Sequence, residues 1–130
     1  MNKGSRIPTK VIDHLIDLAF KEDIGTGDVT TQILIPPVLK TKAIILAKSE
    51  GVLAGIEVAR RVFQKLDPEI KFKTFIKDGS PLKKGDIITE IKGKAHAILT
   101  GERTALNFLQ RLSGVATHTS KFVELVRDLP

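Results

Sequence analysis

The sequence predicts an α+β protein: an N-terminal α/β sandwich with a mostly antiparallel sheet, followed by a helical extension. Three observations carry this prediction. Apolar residues recur at helical spacing in some segments and alternate or run together in others. Short glycine turns separate the strand-like segments, as antiparallel neighbours require. A long helical pattern closes the chain.

The elements follow in order. Pro8 and Thr9 open a helix to about Lys21, with Val11, Ile12, Leu15, Ile16, Leu18 and Ala19 on one face and Lys10, Asp13, Asp17 and Lys21 opposite. Glu22 to Thr31 (EDIGTGDVTT) is dense in glycine and in side chains that bond their own backbone, so it reads as a structured loop. Its carboxylates Glu22, Asp23 and Asp28 fit an Asx-type loop better than a metal site. Its Gly-x-Gly follows a helix and opens none, which excludes a dinucleotide fingerprint. Ile33 to Leu39 continues in extended form through Pro36-Pro37.

Thr41 to Lys48 (TKAIILAK) is a buried strand, turned by Glu50-Gly51 into Val52-Leu53-Ala54. From Gly55 to Leu66 a helix places Ile56, Val58, Ala59, Val62, Phe63 and Leu66 on one face, pairs Glu57 with Arg61 one turn on, and stops at Asp67-Pro68. Ile70 to Lys77 (IKFKTFIK) alternates, giving a strand with one wet, lysine-rich face. Asp78-Gly79 and Lys84-Gly85 are turns around Ser80-Pro81-Leu82. Asp86 to Lys92 and Lys94 to Thr100 are expected as a strand pair broken by Gly93. The closing helical region from Gly101 is expected to split near Ser113-Gly114. A second helix, with Val115, Ala116, Thr119, Phe122, Val123 and Val126 as its apolar face, should run to Arg127-Asp128-Leu129-Pro130.

Composition narrows the function. With 130 residues the chain is of single-domain size. No apolar run approaches the roughly 20 residues that span a bilayer, and MNKGSRIPTK lacks a signal-peptide core, so the cytoplasm is the expected address, with no membrane partner. The absence of cysteine excludes disulfides, thiolate metal sites and cysteine nucleophiles. A net charge of +6 admits nucleic acid or small anions. Lysines spread over strands and turns, with no tryptophan or tyrosine to stack on bases, favour small anions over nucleic acid.

Two further stretches could carry chemistry. The turns between Lys77 and Arg103 resemble the hammerhead hairpins of biotinyl and lipoyl carriers, with Lys92 and Lys94 around Gly93 as the only candidate attachment sites. A plain scaffold is the simpler reading, since Glu90 and Ile91 are not the expected neighbours. In Gly101 to Gly114 (GERTALNFLQRLSG), Ala105, Phe108, Leu109 and Leu112 define an apolar face while Arg103, Asn107 and Arg111 fall at i, i+4 and i+8. Three donors in line suit an anion. Arg103, read as lying in the first turn, would also share the helix N-terminus with that anion. A solvated polar face is the alternative on geometry alone.

Glu22 to Thr31, Gly51-Val52-Leu53-Ala54-Gly55, Lys84-Gly85-Asp86 and Gly101 to Thr117 together resemble the quinolinate phosphoribosyltransferases, or carboxylating nicotinate-nucleotide pyrophosphorylases, in order and spacing over nearly the whole chain. A sister group tied to molybdenum transport shares similar motifs. The resemblance implies a sandwich domain over residues 1–100, and at 101–130 the helical start of an α/β barrel domain whose remainder is absent here. It implies condensation of quinolinate with phosphoribosyl pyrophosphate, using Mg²⁺, to nicotinate mononucleotide, CO₂ and pyrophosphate, on the route to NAD. It implies that Arg103, in Glu102-Arg103-Thr104, reaches a neighbouring subunit's site to bind a quinolinate carboxylate, hence a homodimer or larger homo-oligomer with shared sites. Asn107 and Arg111 are given supporting roles at most. The resemblance places no catalytic residue and no metal ligand in these 130 residues, so the isolated chain is expected to be inactive. The competing readings are a carrier or ligand-binding module and a purely structural dimerisation domain.

Overall fold

The computed structural model describes residues 8–23, 38–117 and 123–128. Helix α1 (Thr9–Asp23) leads to strand β1 (Lys40–Ala47), the short β2 (Gly51–Val52) and helix α2 (Ile56–Leu66). Strands β3 (Lys71–Thr74), β4 (Pro81–Leu82) and β5 (Ile87–Lys94) follow, then the long helix α3 (Ala95–Thr117) and strand β6 (Val123–Asp128). An antiparallel sheet in the order β3-β5-β1-β6 and a two-stranded β2-β4 pair confirm the α+β class.

Alternation decides which face of the sheet the helices cover. On β1, Thr41, Ala43, Ile45 and Ala47 are buried while the intervening residues are not. Ala43 stands opposite Ile91, which stands opposite Phe72 on β3. The Phe72 ring lies 6.3 Å from that of Phe63 on α2, so this face meets the helices. From above, α2 supplies Val62 and Phe63 to the core, and α3 supplies Ile98, Ala105 and Leu109, all fully buried. No helix among the described residues is long and apolar enough to cross a membrane.

Four expectations are corrected. Residues 94–100 do not form a strand: β5 runs through Lys94 and α3 begins at Ala95, whose N–H donates to the Leu39 carbonyl at 2.8 Å. Ala95 and Ile98 then fall inward three residues apart, a helical spacing. Gly93 is no hairpin tip. It sits inside β5 opposite Thr41, where a Cβ would stand 2.7 Å from Ile70 Cγ1, so glycine is needed for close packing.

The split at Ser113-Gly114 is also absent, because α3 continues to Thr117. The second helix is replaced in part by a strand, since Val123–Asp128 pairs with β1, Val126 opposite Ile44. The physical reason is the free edge of β1: its N–H and C=O groups offer a ladder that Val123, Leu125 and Val126 can join. Finally, Glu57 pairs not with Arg61 but with Arg60, at 3.4 Å, and Arg61 goes to α1. The loop expected over 22–31 lies outside the described residues from 24 onward, as does the extended segment through Pro37.

Candidate functional site

The outward stripe of α3 exists because its inward side is pinned at three places. Ala105 and Leu109 fill the core. Gly101 lies against Phe63 and Leu66, where a Cβ would approach Leu66 Cδ1 to 2.9 Å. Near the far end, the Ala54 N–H donates to Ser113 Oγ at 2.9 Å and the Ser113 hydroxyl donates to the Ala54 carbonyl at 3.0 Å. That reciprocal pair fixes both the rotation and the axial position of the helix. The serine expected to break the helix instead clamps it.

Beside the clamp, Gly55 caps α2 with φ +99, and a Cβ there would stand 2.7 Å from Leu112 Cδ1. The Ile56 N–H donates to Asp78 Oδ1 at 3.1 Å, so the Asp78-Gly79 turn caps α2 from a distance. Thus the glycine-rich segment 51–55 and the end of α3, far apart in sequence, form one joint. Sequence reasoning singled out both stretches without bringing them together. The glycines at 51 and 55 were the available signal.

With the joint set, Arg103, Asn107 and Arg111 are all exposed on the opposite side of α3, as expected. Among the described residues Arg103 and Arg111 enter no ion pair or cation-π contact. The helix N-terminus is not part of this site, however. Arg103 lies eight residues past Ala95, more than two turns in, and only the first four N–H groups of a helix lack partners within it. Any anion held there is held by side chains.

The other sequence-predicted features lie elsewhere. Lys92 and Lys94 are paired within the sheet, opposite Lys42 and Lys40 at the end of the β1–β5 ladder, a placement that no exposed-tip carrier uses. His, Asp and Glu form no group of three or more suited to a metal ion among the described residues.

Comparison with known proteins agrees with this geometry. A family profile described as quinolinate phosphoribosyl transferase, N-terminal domain, matches residues 28–113. A quinolinate phosphoribosyltransferase [decarboxylating] of Nicotiana glauca is 42% identical over 118 residues, covering 90% of this chain and 34% of that protein. A probable nicotinate-nucleotide pyrophosphorylase [carboxylating] of Bacillus subtilis is 43% identical over 119 residues, covering 92% and 39%. The crystal structure of NadC from Streptococcus pyogenes superposes with a TM-score of 0.82 at 39% identity, covering 87% of this chain and 40% of that one. The chain therefore spans between a third and two fifths of the length of these relatives, and it belongs to the quinolinate phosphoribosyltransferase family, matching the N-terminal domain.

Proposed function

We propose that this chain is the substrate-completing part of an enzyme that joins quinolinate to phosphoribosyl pyrophosphate, releasing CO₂ and pyrophosphate and yielding nicotinate mononucleotide for NAD synthesis. The observation that carries the reading is Arg103, exposed on a helix clamped at both ends and engaged by no acid among the described residues. A guanidinium meets a carboxylate with two parallel N–H donors, which orients a planar pyridine dicarboxylate as a point charge would not.

Axial spacing limits what the stripe can do together. Positions one turn apart lie about 6 Å apart and two turns about 12 Å. Arg103 and Asn107 can share one small dianion. Arg111 contributes field more than contact.

Because the stripe faces away from its own core, its ligand belongs to a site completed by another subunit, hence a homodimer or larger assembly. From residue 101 onward the helical part is proposed to lead toward a second, barrel-like domain. Mg²⁺ belongs to the proposed reaction, but the described residues offer no ligand set that fits it, so no step is assigned to it here. The proposed setting is the cytoplasm, where substrates this highly charged are confined by the cost of crossing a bilayer. The residues on this chain bind and orient, and cationic groups near the ring favour the negative charge that develops as CO₂ leaves.

The test is steady-state kinetics of the full-length enzyme carrying Arg103→Ala. Losing a charge-assisted contact of about 1.5–3 kcal/mol lowers kcat/KM for quinolinate roughly 10- to 150-fold, with KM for phosphoribosyl pyrophosphate little changed. Arg103→Lys should recover only part. An Arg103→Ala enzyme with normal quinolinate kinetics would instead support a purely structural dimerisation domain.

A further inference from the structure

Lysines occupy alternate positions on three neighbouring strands at one end of the sheet. Lys40 stands directly opposite Lys94, Lys42 opposite Lys92, and Lys92 opposite Lys71 on its other side. By strand alternation they share the sheet face turned away from α2 and α3. Like charges placed directly across a ladder destabilise it. The arrangement is only partly relieved. Glu90 reaches Lys92 at 3.6 Å and Lys42 at 4.0 Å, and Asp128 on β6 is the register partner of Lys42 on its other side. Lys40, Lys71 and Lys94 form no ion pair among the described residues.

These five lysines line a cavity of about 410 Å³, floored by Thr41 and Gly93. Two acids also border it. Asp67 is buried and its carboxylate is spent on backbone, accepting from the Glu69 N–H at 3.0 Å and the Lys94 N–H at 3.5 Å. With Glu90 shared between Lys42 and Lys92, Glu69 is the one acid lining the cavity, among the described residues, that is left to answer Lys40, Lys71 and Lys94. The positive end of the cavity is therefore a deliberate excess at a measurable structural cost, the pattern of a site that awaits an anion.

Spacing selects the anion. Ammonium groups at alternate strand positions begin about 7 Å apart along a strand, and β1 and β3 lie roughly 10 Å apart across β5. A single carboxylate meets one or two such groups. A short chain of linked phosphates meets most of them, and lysine serves as a point charge for phosphate oxygens without demanding a planar ligand. Among the described residues, no aromatic side chain lines the cavity to stack on a base. We propose that this cleft binds an oligophosphate, either inorganic or as the triphosphate group of a nucleotide.

Calorimetric titration of the 130-residue chain with tripolyphosphate and, separately, with adenosine triphosphate tests it at about 0.15 M salt. Tripolyphosphate should bind with a Kd of about 10–100 µM. Equal affinity for the two ligands assigns recognition to phosphate alone, and tighter adenosine triphosphate binding adds the nucleoside. The paired variant Lys40→Gln/Lys94→Gln should weaken binding at least about tenfold, while melting no lower than the wild type because repulsion between two directly opposed lysines is relieved. Lys10→Gln/Lys21→Gln on α1 removes the same net charge and should leave affinity unchanged. Amide NMR shifts on titration should centre on Thr41 and Gly93. No detectable binding, equal losses in the two paired variants, or tighter binding of a short single-stranded RNA than of tripolyphosphate would overturn the proposal.

Discussion

Helices α2 and α3 lie side by side over one sheet, each carries two arginines, and they use them in opposite ways. On α2, Arg61 grips Asp13 of α1 through Nε at 3.0 Å and through a terminal nitrogen at 2.6 Å. Arg60 meets Glu57 at 3.4 Å, donates to Thr74 Oγ1 at 3.3 Å and stacks over Phe72 at 5.3 Å. On α3, Arg103 and Arg111 point to solvent with no such partner among the described residues. An arginine that joins elements is recognised by the acid facing it, and one held rigid with no acid facing it is free for a ligand. The cost of holding α3 rigid falls on its other side.

The contrast can be broken most strongly from beneath. Leu109→Ala removes a fully buried side chain from the inward face of α3, and should cost about 2–5 kcal/mol by chemical denaturation. A loss below about 1 kcal/mol would mean that α3 is not anchored by its core face. Ser113→Ala comes next. It strips both bonds from Ala54 and leaves a backbone N–H and C=O short of partners, for about 1–3 kcal/mol, read in the same experiment. Amide exchange should quicken at Ala54 while the middle of α3 stays protected.

The smallest effect sharpens the other half of the comparison. The hydrogen bond from Arg61 holds the Asp13 carboxyl below its ordinary range, against an opposing desolvation effect, with the Arg61 and Lys65 charges adding to the lowering. A depressed carboxylate contributes stability that is present above its unfolded pKa, near 3.9, and is lost as pH falls through the folded value. Asp13→Asn should therefore melt slightly below the wild type at pH 7, and the two curves should converge as pH drops below about 4. A gap that persists unchanged at low pH would show that the pair acts by packing rather than charge.

Much of this was legible in the residues. The α2 face from Ile56 to Phe63, the β1 run and the exposure of Arg103, Asn107 and Arg111 all follow from periodicity alone. The start of α3 did not, because AHAILT fits a period of two as well as a helical one over six residues, and only the burial of Ala95 and Ile98 in the folded chain decides. Strand β6 was hidden for a different reason: its residues suit either state, and the vacant edge of β1 chooses. The partner of Arg61 and the role of Ser113 are tertiary facts. Asp13 lies 48 residues from Arg61 and Ala54 lies 59 from Ser113, so no local window contains either pair.

Strand β5 passes into α3 with no intervening residue, Lys94 being the last of one and Ala95 the first of the other. The direction in which Arg103 points is therefore counted off from the sheet, at about 100° per residue. With Ser113 clamped at the opposite end, the helix is indexed twice, like a shaft keyed at both bearings. Inserting one residue between Ala95 and Arg103 would satisfy one key only by slipping the other, and would swing either the guanidinium together with the clamp, or the junction with β5, about a quarter-turn out of phase. Between those two points, length is as constrained as composition.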